Sequence, residues 1–205
     1  MKIFKMIYYN LIGQVYIPDN IKNNDEKKLL HISDTPINFF HALKRLITEL
    51  SPEIIIHTGD LVDNIKLGIY KGFSSKYDYH VQSIINILES SSASYIYICV
   101  GNHDDSNIIK KYCERSIVID GTKIINIFDT HATLSHYPYE IIKNPSNYNF
   151  FGHDISIGSD IVKGKAYLNG VSSINILTEE TKKLFYLPYP SGVDDSRLMK
   201  GKIGL

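Results

Sequence analysis

The most constraining feature of this chain is an alternation in its first half. Apolar runs at 29–33 (LLHIS), 54–57 (IIIH) and 95–100 (YIYICV) are separated by stretches at 39–50 and 79–88 whose apolar residues recur at helical spacing. Strand, helix, strand, helix, strand is the order that parallel strands require, because each crossover must carry the chain back across the sheet. The Ser51-Pro52 pair stops the first helical stretch and frees the second strand to begin. From residue 117 the pattern changes to short strand signals, at about 117–119, 123–128, 131–135, 149–151, 166–168, 172–177 and 183–187. The expected class is therefore α/β in its first half, with a strand-rich second half. At the amino end, 2–9 and 13–17 are rich in β-branched and aromatic residues and flank Asn10 to Gly13, which predicts a hairpin followed by a loop over 19–28.

With 205 residues, the chain fits one domain over 1–205, with 1–28 as an amino-terminal extension and the glycine-bearing segment 191–205 as a flexible tail. Its 22 basic residues balance 22 acidic ones, so no global field draws it to nucleic acid or to an anionic membrane. Cys99 and Cys113 lack metal-ligand spacing, which favours a reduced, cytoplasmic chain. The first 18 residues are interrupted by Lys2, Lys5, Asn10 and Gln14, and predict neither a signal peptide nor a membrane span.

Side chains with ligand chemistry cluster where the apolar runs end, the position at which α/β folds place their sites. The clusters are Ser33-Asp34-Thr35-Pro36, Gly59-Asp60-Leu61-Val62-Asp63-Asn64, Gly101-Asn102-His103-Asp104, Ser135-His136-Tyr137-Pro138 and Gly152-His153-Asp154-Ile155. A single Asp or His in a turn is usually a cap or a surface residue; five clusters in register after strands point to a site. Carboxylate, imidazole and amide oxygen together suit manganese, iron, zinc or nickel better than calcium or copper(I).

The order and spacing of these clusters resemble the calcineurin-like metallophosphoesterase family, whose signature runs D-x-H, G-D-x-x-D, G-N-H-D/E, a lone histidine and G-H-x-H. The resemblance covers 29 to about 155. It implies a four-layer αββα sandwich of two mixed β-sheets flanked by helices. It also implies metal-dependent hydrolysis of a phosphomonoester or phosphodiester, by a metal-activated water with His103 as general acid. Asp60 would bridge two ions, Asn102, His136 and His153 would complete the second ion's ligands, and Asp34 would bind the first. Asn102 and His103 would contact substrate, and Asp104 would orient the His103 imidazole. Asn64 stands where related phosphatases carry a phosphate-gripping arginine, and is expected as an uncharged substrate contact.

Two family histidines are missing, both first-metal ligands: Pro36 stands in D-x-H and Ile155 in G-H-x-H. One divalent ion is expected at the second position; a first would need Asp34 and Asp60 with a replacement such as Asp154 or His31. His31 and His57, inside buried strands, are more simply core hydrogen-bonding groups. His41, His80 and His131 lack such context. The segment 66–79 sets Tyr70, Phe73, Tyr77 and Tyr79 among Lys66, Lys71 and Lys76, a composition that suits base stacking and phosphate contact or packing on the chain's own surface. A small, nucleotide-like phosphorylated substrate is favoured. The alternatives are a catalytically impaired scaffold and a nuclease, the latter opposed by the balanced charge. Oligomeric state is left open.

Overall fold

The computed structural model describes residues 2–69 and 71–198. Its strands are β1 (Lys28–Ile32), β2 (Ile54–His57), β3 (Tyr95–Cys99), β4 (Ile117–Ile119), β5 (Lys123–Ile127), β6 (Thr130–Leu134), β7 (Tyr148–Phe151), β8 (Asp160–Val162), β9 (Lys165–Asn169), β10 (Ile174–Thr178) and β11 (Leu184–Leu187). They form two mixed sheets, one ordered β11-β10-β1-β2-β3-β4 and the other β5-β6-β7-β9-β8. Strands β1 to β4 run parallel, as the alternation requires, and β10 and β11 close the far edge antiparallel. In the second sheet β6, β7 and β9 are parallel, with antiparallel β5 and β8 at the edges.

The period-2 rule of strands sorts the apolar residues into two cores. Leu30, Ile32, Ile55, Ile96 and Ile98 face the helices; Leu29, Ile54, Ile56, Tyr97 and Cys99 face Ile125, Ile127, Leu134, Phe150 and Leu168 of the second sheet. Burial on both faces explains why the first three strands read as unbroken apolar runs. The helix-side core is covered by α3 (Phe40–Leu50) and α4 (Ser74–Glu89), the two helices that the spacing predicted. In α3, Phe40, Leu43, Leu46, Ile47 and Leu50 share one buried face. It ends at Ser51 in the left-handed conformation (φ 44°), whose N–H returns to the Ile47 carbonyl.

Several elements differ from the sequence reading. Residues expected to form a hairpin strand instead form helix α1 (Lys2–Leu11), followed by the short α2 (Asp19–Lys22). The apolar residues Ile3, Phe4, Ile7, Tyr8 and Leu11 recur at helical spacing without strand alternation, and that period outweighs their β propensity. The stretch 13–17 is not a strand either; Val15 and Ile17 pack into the helix-side core. Helix α5 (Ser106–Tyr112) is capped by Asp105, whose carboxylate accepts from the N–H groups of Asn107 and Ile108. Helix α6 (Pro138–Lys143) packs against β7 on the far side of the second sheet. Where a flexible tail was expected from residue 191, α7 (Val193–Arg197) docks with Val193 and Arg197 buried; 199–205 lie outside the described residues. No helix among the described residues is long and apolar enough to cross a membrane.

Candidate metal centre

Five strand ends deliver the clusters to one rim. Asp34 follows β1, Asp60 follows β2, Asn102 to Asp104 follow β3, His136 follows β6 and His153 follows β7. The loops are tied to each other by backbone: Asp34 N–H donates to Gly59 O (2.9 Å), Thr35 N–H to Asp60 O (2.9 Å) and Gly152 N–H to His136 O (3.0 Å). Asp34, Asp60 and His153 all adopt left-handed backbone, at φ 49°, 54° and 70°. Each costs on the order of 1–3 kcal/mol for a non-glycine residue and persists only because its surroundings hold it. The glycines of the clusters make room: a Cβ on Gly101 would lie 2.2 Å from Asp60 Oδ1, and one on Gly152 would lie 2.6 Å from Asp34 Oδ2.

The four residues that the resemblance assigns to a second ion lie together at the rim. Asn102 Oδ1 lies 2.9 Å from His136 Nε2 and 2.8 Å from His153 Nδ1, the two ring nitrogens are 3.2 Å apart, and His136 Nε2 is 3.7 Å from Asp60 Oδ2. The His136 ring is fixed by Nδ1–H donating to the Thr58 carbonyl (2.7 Å), which leaves Nε2 with its lone pair turned into the site. An imidazole lone pair, an amide oxygen and a carboxylate therefore point at one another. Asp34 adds a second carboxylate, its ligand atom within 4.8 Å of those of Asp60 and His136. Burial, and then the neighbouring Asp34, push the Asp60 carboxyl well above the ordinary carboxylate range. Such a set of close acceptors fits a divalent cation, which Asp60, Asn102, His136 and His153 would hold with Asp34 beside them.

On the first-metal side Asp60, Asp63 and His103 bring ligand atoms within 4.8 Å of one another, but Asp63 is already paired with the Lys66 ammonium and neither family imidazole is present. Pro36 precedes a single 3-10 turn (Ile37–Phe39) and offers no side-chain ligand. Both proposed replacements are committed elsewhere. His31 Nε2 bonds the Thr58 hydroxyl and Nδ1 the Asn175 amide, at 3.0 Å each, deep between the sheets. Asp154 accepts from the N–H and hydroxyl of Ser156. His57 is likewise structural: Nε2 bonds the Thr35 hydroxyl (2.8 Å) and Nδ1 accepts from Gly59 N–H (3.2 Å). Burial pushes the His57 pKa down to about 3 and that of His31 well below its usual value, so both are neutral.

Three side chains that the sequence reading did not assign occupy this side. Asp63 is 2% exposed and pairs with Lys66 Nζ. Arg197 is 4% exposed and donates to the carbonyls of Asp34 (2.7 Å), Ser33 (3.0 Å) and Val171 (2.9 Å). Together with Asp34, Asp60, His103, His153 and Ile155 they line a cavity of about 120 Å³.

His103 lines the cavity through its ring, its backbone N–H donates to Asp60 Oδ1 (2.8 Å), and its Nδ1 is buried without a partner. Burial, and then the Lys66 charge, push its pKa down to about 4. Asp104 does not orient it. The four donors to its carboxylate are Asp60 N–H, Gly101 N–H, Leu61 N–H and the Tyr77 hydroxyl, at 2.7–2.9 Å, so it braces the loops after β2 and β3. Asn64 is also redirected: its Oδ1 accepts from Ile37 N–H (3.0 Å), and it does not line the cavity. In the 66–79 segment Tyr77 is fully buried, the self-packing outcome, whereas Phe73 and Tyr79 are exposed and Tyr70 lies outside the described residues.

Among solved structures, an archaeal phosphodiesterase is 19% identical with a TM-score of 0.53, covering 78% of this chain and 98% of its own. Yfce, a phosphoesterase from E. coli, is 12% identical with a TM-score of 0.54, covering 79% and 98%. At these identities the likeness is one of fold. No curated protein sequence matches the chain. The calcineurin-like phosphoesterase family matches residues 27–191, which takes in every cluster at the rim and all eleven strands, β1 to β11. The chain belongs to the calcineurin-like phosphoesterase family.

Proposed function

We propose that this chain hydrolyses a small, nucleotide-like phosphate ester with one divalent ion held by Asp60, Asn102, His136 and His153. The observation that carries the reading is the inward convergence of the Asn102 oxygen on the two imidazole nitrogens at 2.8 and 2.9 Å, with His136 turned by Thr58. A bound ion would supply the nucleophile at neutral pH and offset charge on the phosphoryl oxygens. The mixed nitrogen and oxygen set suits manganese, iron, zinc or nickel.

His103 is the proton donor in this reading. Its ring is neutral in the free protein, and an anionic phosphoryl group beside it would raise its pKa and favour the imidazolium that protonates the leaving oxygen. Asp104 acts through the backbone, fixing Asp60 and Gly101 rather than the imidazole. The small cavity and the balanced charge support a small substrate over a long nucleic acid.

The test is turnover of p-nitrophenyl phosphate and bis-p-nitrophenyl phosphate with added manganese, iron, zinc or nickel. Both His103→Ala and Asp60→Asn should lower the rate by about 100-fold or more. Only Asp60→Asn should also weaken metal binding. Absence of turnover by the wild type with all four metals would replace the enzyme with a non-catalytic scaffold.

A further inference from the structure

The altered half of the site has lost its imidazoles and kept its acids. Asp34, Asp60 and Asp63 are 5%, 2% and 2% exposed, and three buried carboxylates need positive charge near them. Burial and the Asp34 charge already raise the Asp63 pKa to about 6. Arg197 is committed to three backbone carbonyls and to Asp194, so its guanidinium braces the loop after β1. Lys66 differs. Its side chain is 15% exposed, its ammonium bonds Asp63 alone among the described residues, and it lines the same cavity as His103 and His153.

The loop that carries Lys66 is pressed onto the site. A Cβ on Gly68 would lie 2.6 Å from the Asn102 carbonyl and 3.0 Å from His103 Nδ1, so Gly68 permits a contact that a larger residue would block. Lys66 thus lines the same cavity as Ile155, which stands in place of a family ligand.

We propose that the Lys66 ammonium, held by Asp63, takes the place of the first metal ion and grips the phosphoryl oxygens of the substrate. This deepens the phosphoesterase reading and rests on it. With one divalent ion, Lys66 and Arg197 against Asp34, Asp60 and Asp63, the formal charge around the cavity is +1. A second ion would add two positive charges. The site is thus matched to a singly charged phosphodiester more closely than to a dianionic monoester.

Two measurements without turnover test it. Protein purified without chelator should contain one tightly held divalent ion per chain by elemental analysis; two would overturn the proposal. In titration calorimetry of manganese-loaded protein with inorganic phosphate, Lys66→Met should weaken binding roughly tenfold or more, the loss of one charge-assisted hydrogen bond, and Lys66→Arg should stay within about threefold. Unchanged phosphate affinity in Lys66→Met would overturn it. A Pro36→His/Ile155→His double variant should still take one ion, and should take two once Lys66→Met is added. If that triple variant, folded by circular dichroism, keeps one ion while Lys66→Met binds phosphate like wild type, Lys66 is a surface anchor only. Phosphate binding that depends on Lys66 in a chain without turnover would sink the hydrolase reading and leave this one standing.

Discussion

Replacing Arg197 by Met tests how the carboxyl end supports the site. The substitution keeps an unbranched, apolar stem and removes the guanidinium. Three buried carbonyls, those of Ser33, Asp34 and Val171, then lose a donor at 2.7–3.0 Å, and the stacking of the guanidinium 4.0 Å over the Tyr189 ring is lost. The bond to Asp194 counts for little, because that carboxylate is 56% exposed. Each under-satisfied carbonyl costs about 1 kcal/mol at the low end, and the cation–π contact about 1 kcal/mol. The charge itself no longer has to be desolvated, which returns part of the loss, so a net destabilisation of about 3 kcal/mol is expected. Followed by circular dichroism in urea, with a slope of about 2–3 kcal/mol/M for a chain of this size, the midpoint should fall by about 1 M at unchanged slope. Truncation before Ser191 should cost at least as much. A midpoint within 0.2–0.3 M of wild type, which is about 0.5 kcal/mol, would show that the tail only rests on the surface and that the hydrogen bonds to the Asp34 loop carry no weight.

Gly101→Ala places a methyl 2.2 Å from Asp60 Oδ1. It should cost about 1–3 kcal/mol in a thermal melt and abolish stabilisation by manganese, whereas the wild type should gain about 2.7 kcal/mol at a hundredfold excess over the dissociation constant. The buried histidines set an acid limb. His57 has a folded pKa lowered to about 3, so below its unfolded value of about 6.5 the unfolded chain takes up a proton the folded one refuses, and stability falls with pH between those values. Asp63, raised to about 6, acts in the opposite sense, contributing stability that is lost as pH rises from about 3.8 through about 6. The difference in unfolding free energy between wild type and His57→Gln isolates the histidine: it should shift by about 2 kcal/mol between pH 7 and pH 5, and a flat difference would refute neutral burial.

What could be foreseen depended on how local the determining interaction is. Runs such as IIIH at 54–57 and YIYIC at 95–99 are buried on both faces, so their pattern alone locates the parallel strands. The amino-terminal helix was misread because Ile3, Phe4, Ile7 and Tyr8 carry strand-like side chains in a helical period, and the residue types were weighed above the period. At the site, each rim cluster could be found because its residues are adjacent in sequence and follow a strand. Arg197 could not, lying 163 residues from the Asp34 carbonyl it supports; nothing in its neighbourhood marks an arginine for burial. The role of Asp104 was missed for a related reason: proximity to His103 suggested an imidazole partner, while its oxygens accept from the backbone of a loop more than forty residues earlier.

The left-handed backbone at Asp34, Asp60 and His153 makes this rim a place where durability and chemistry compete. Glycine would occupy any of these three positions without the steric penalty, and for the two aspartates it would also remove a buried carboxylate that repels its neighbours. Selection for heat resistance alone would therefore tend to erase these candidate ligands before it improved the core. A laboratory lineage evolved only for melting temperature should drift toward a sturdier sandwich with a silent rim, so any thermostabilised form of this protein has to be screened for metal uptake as well as for folding.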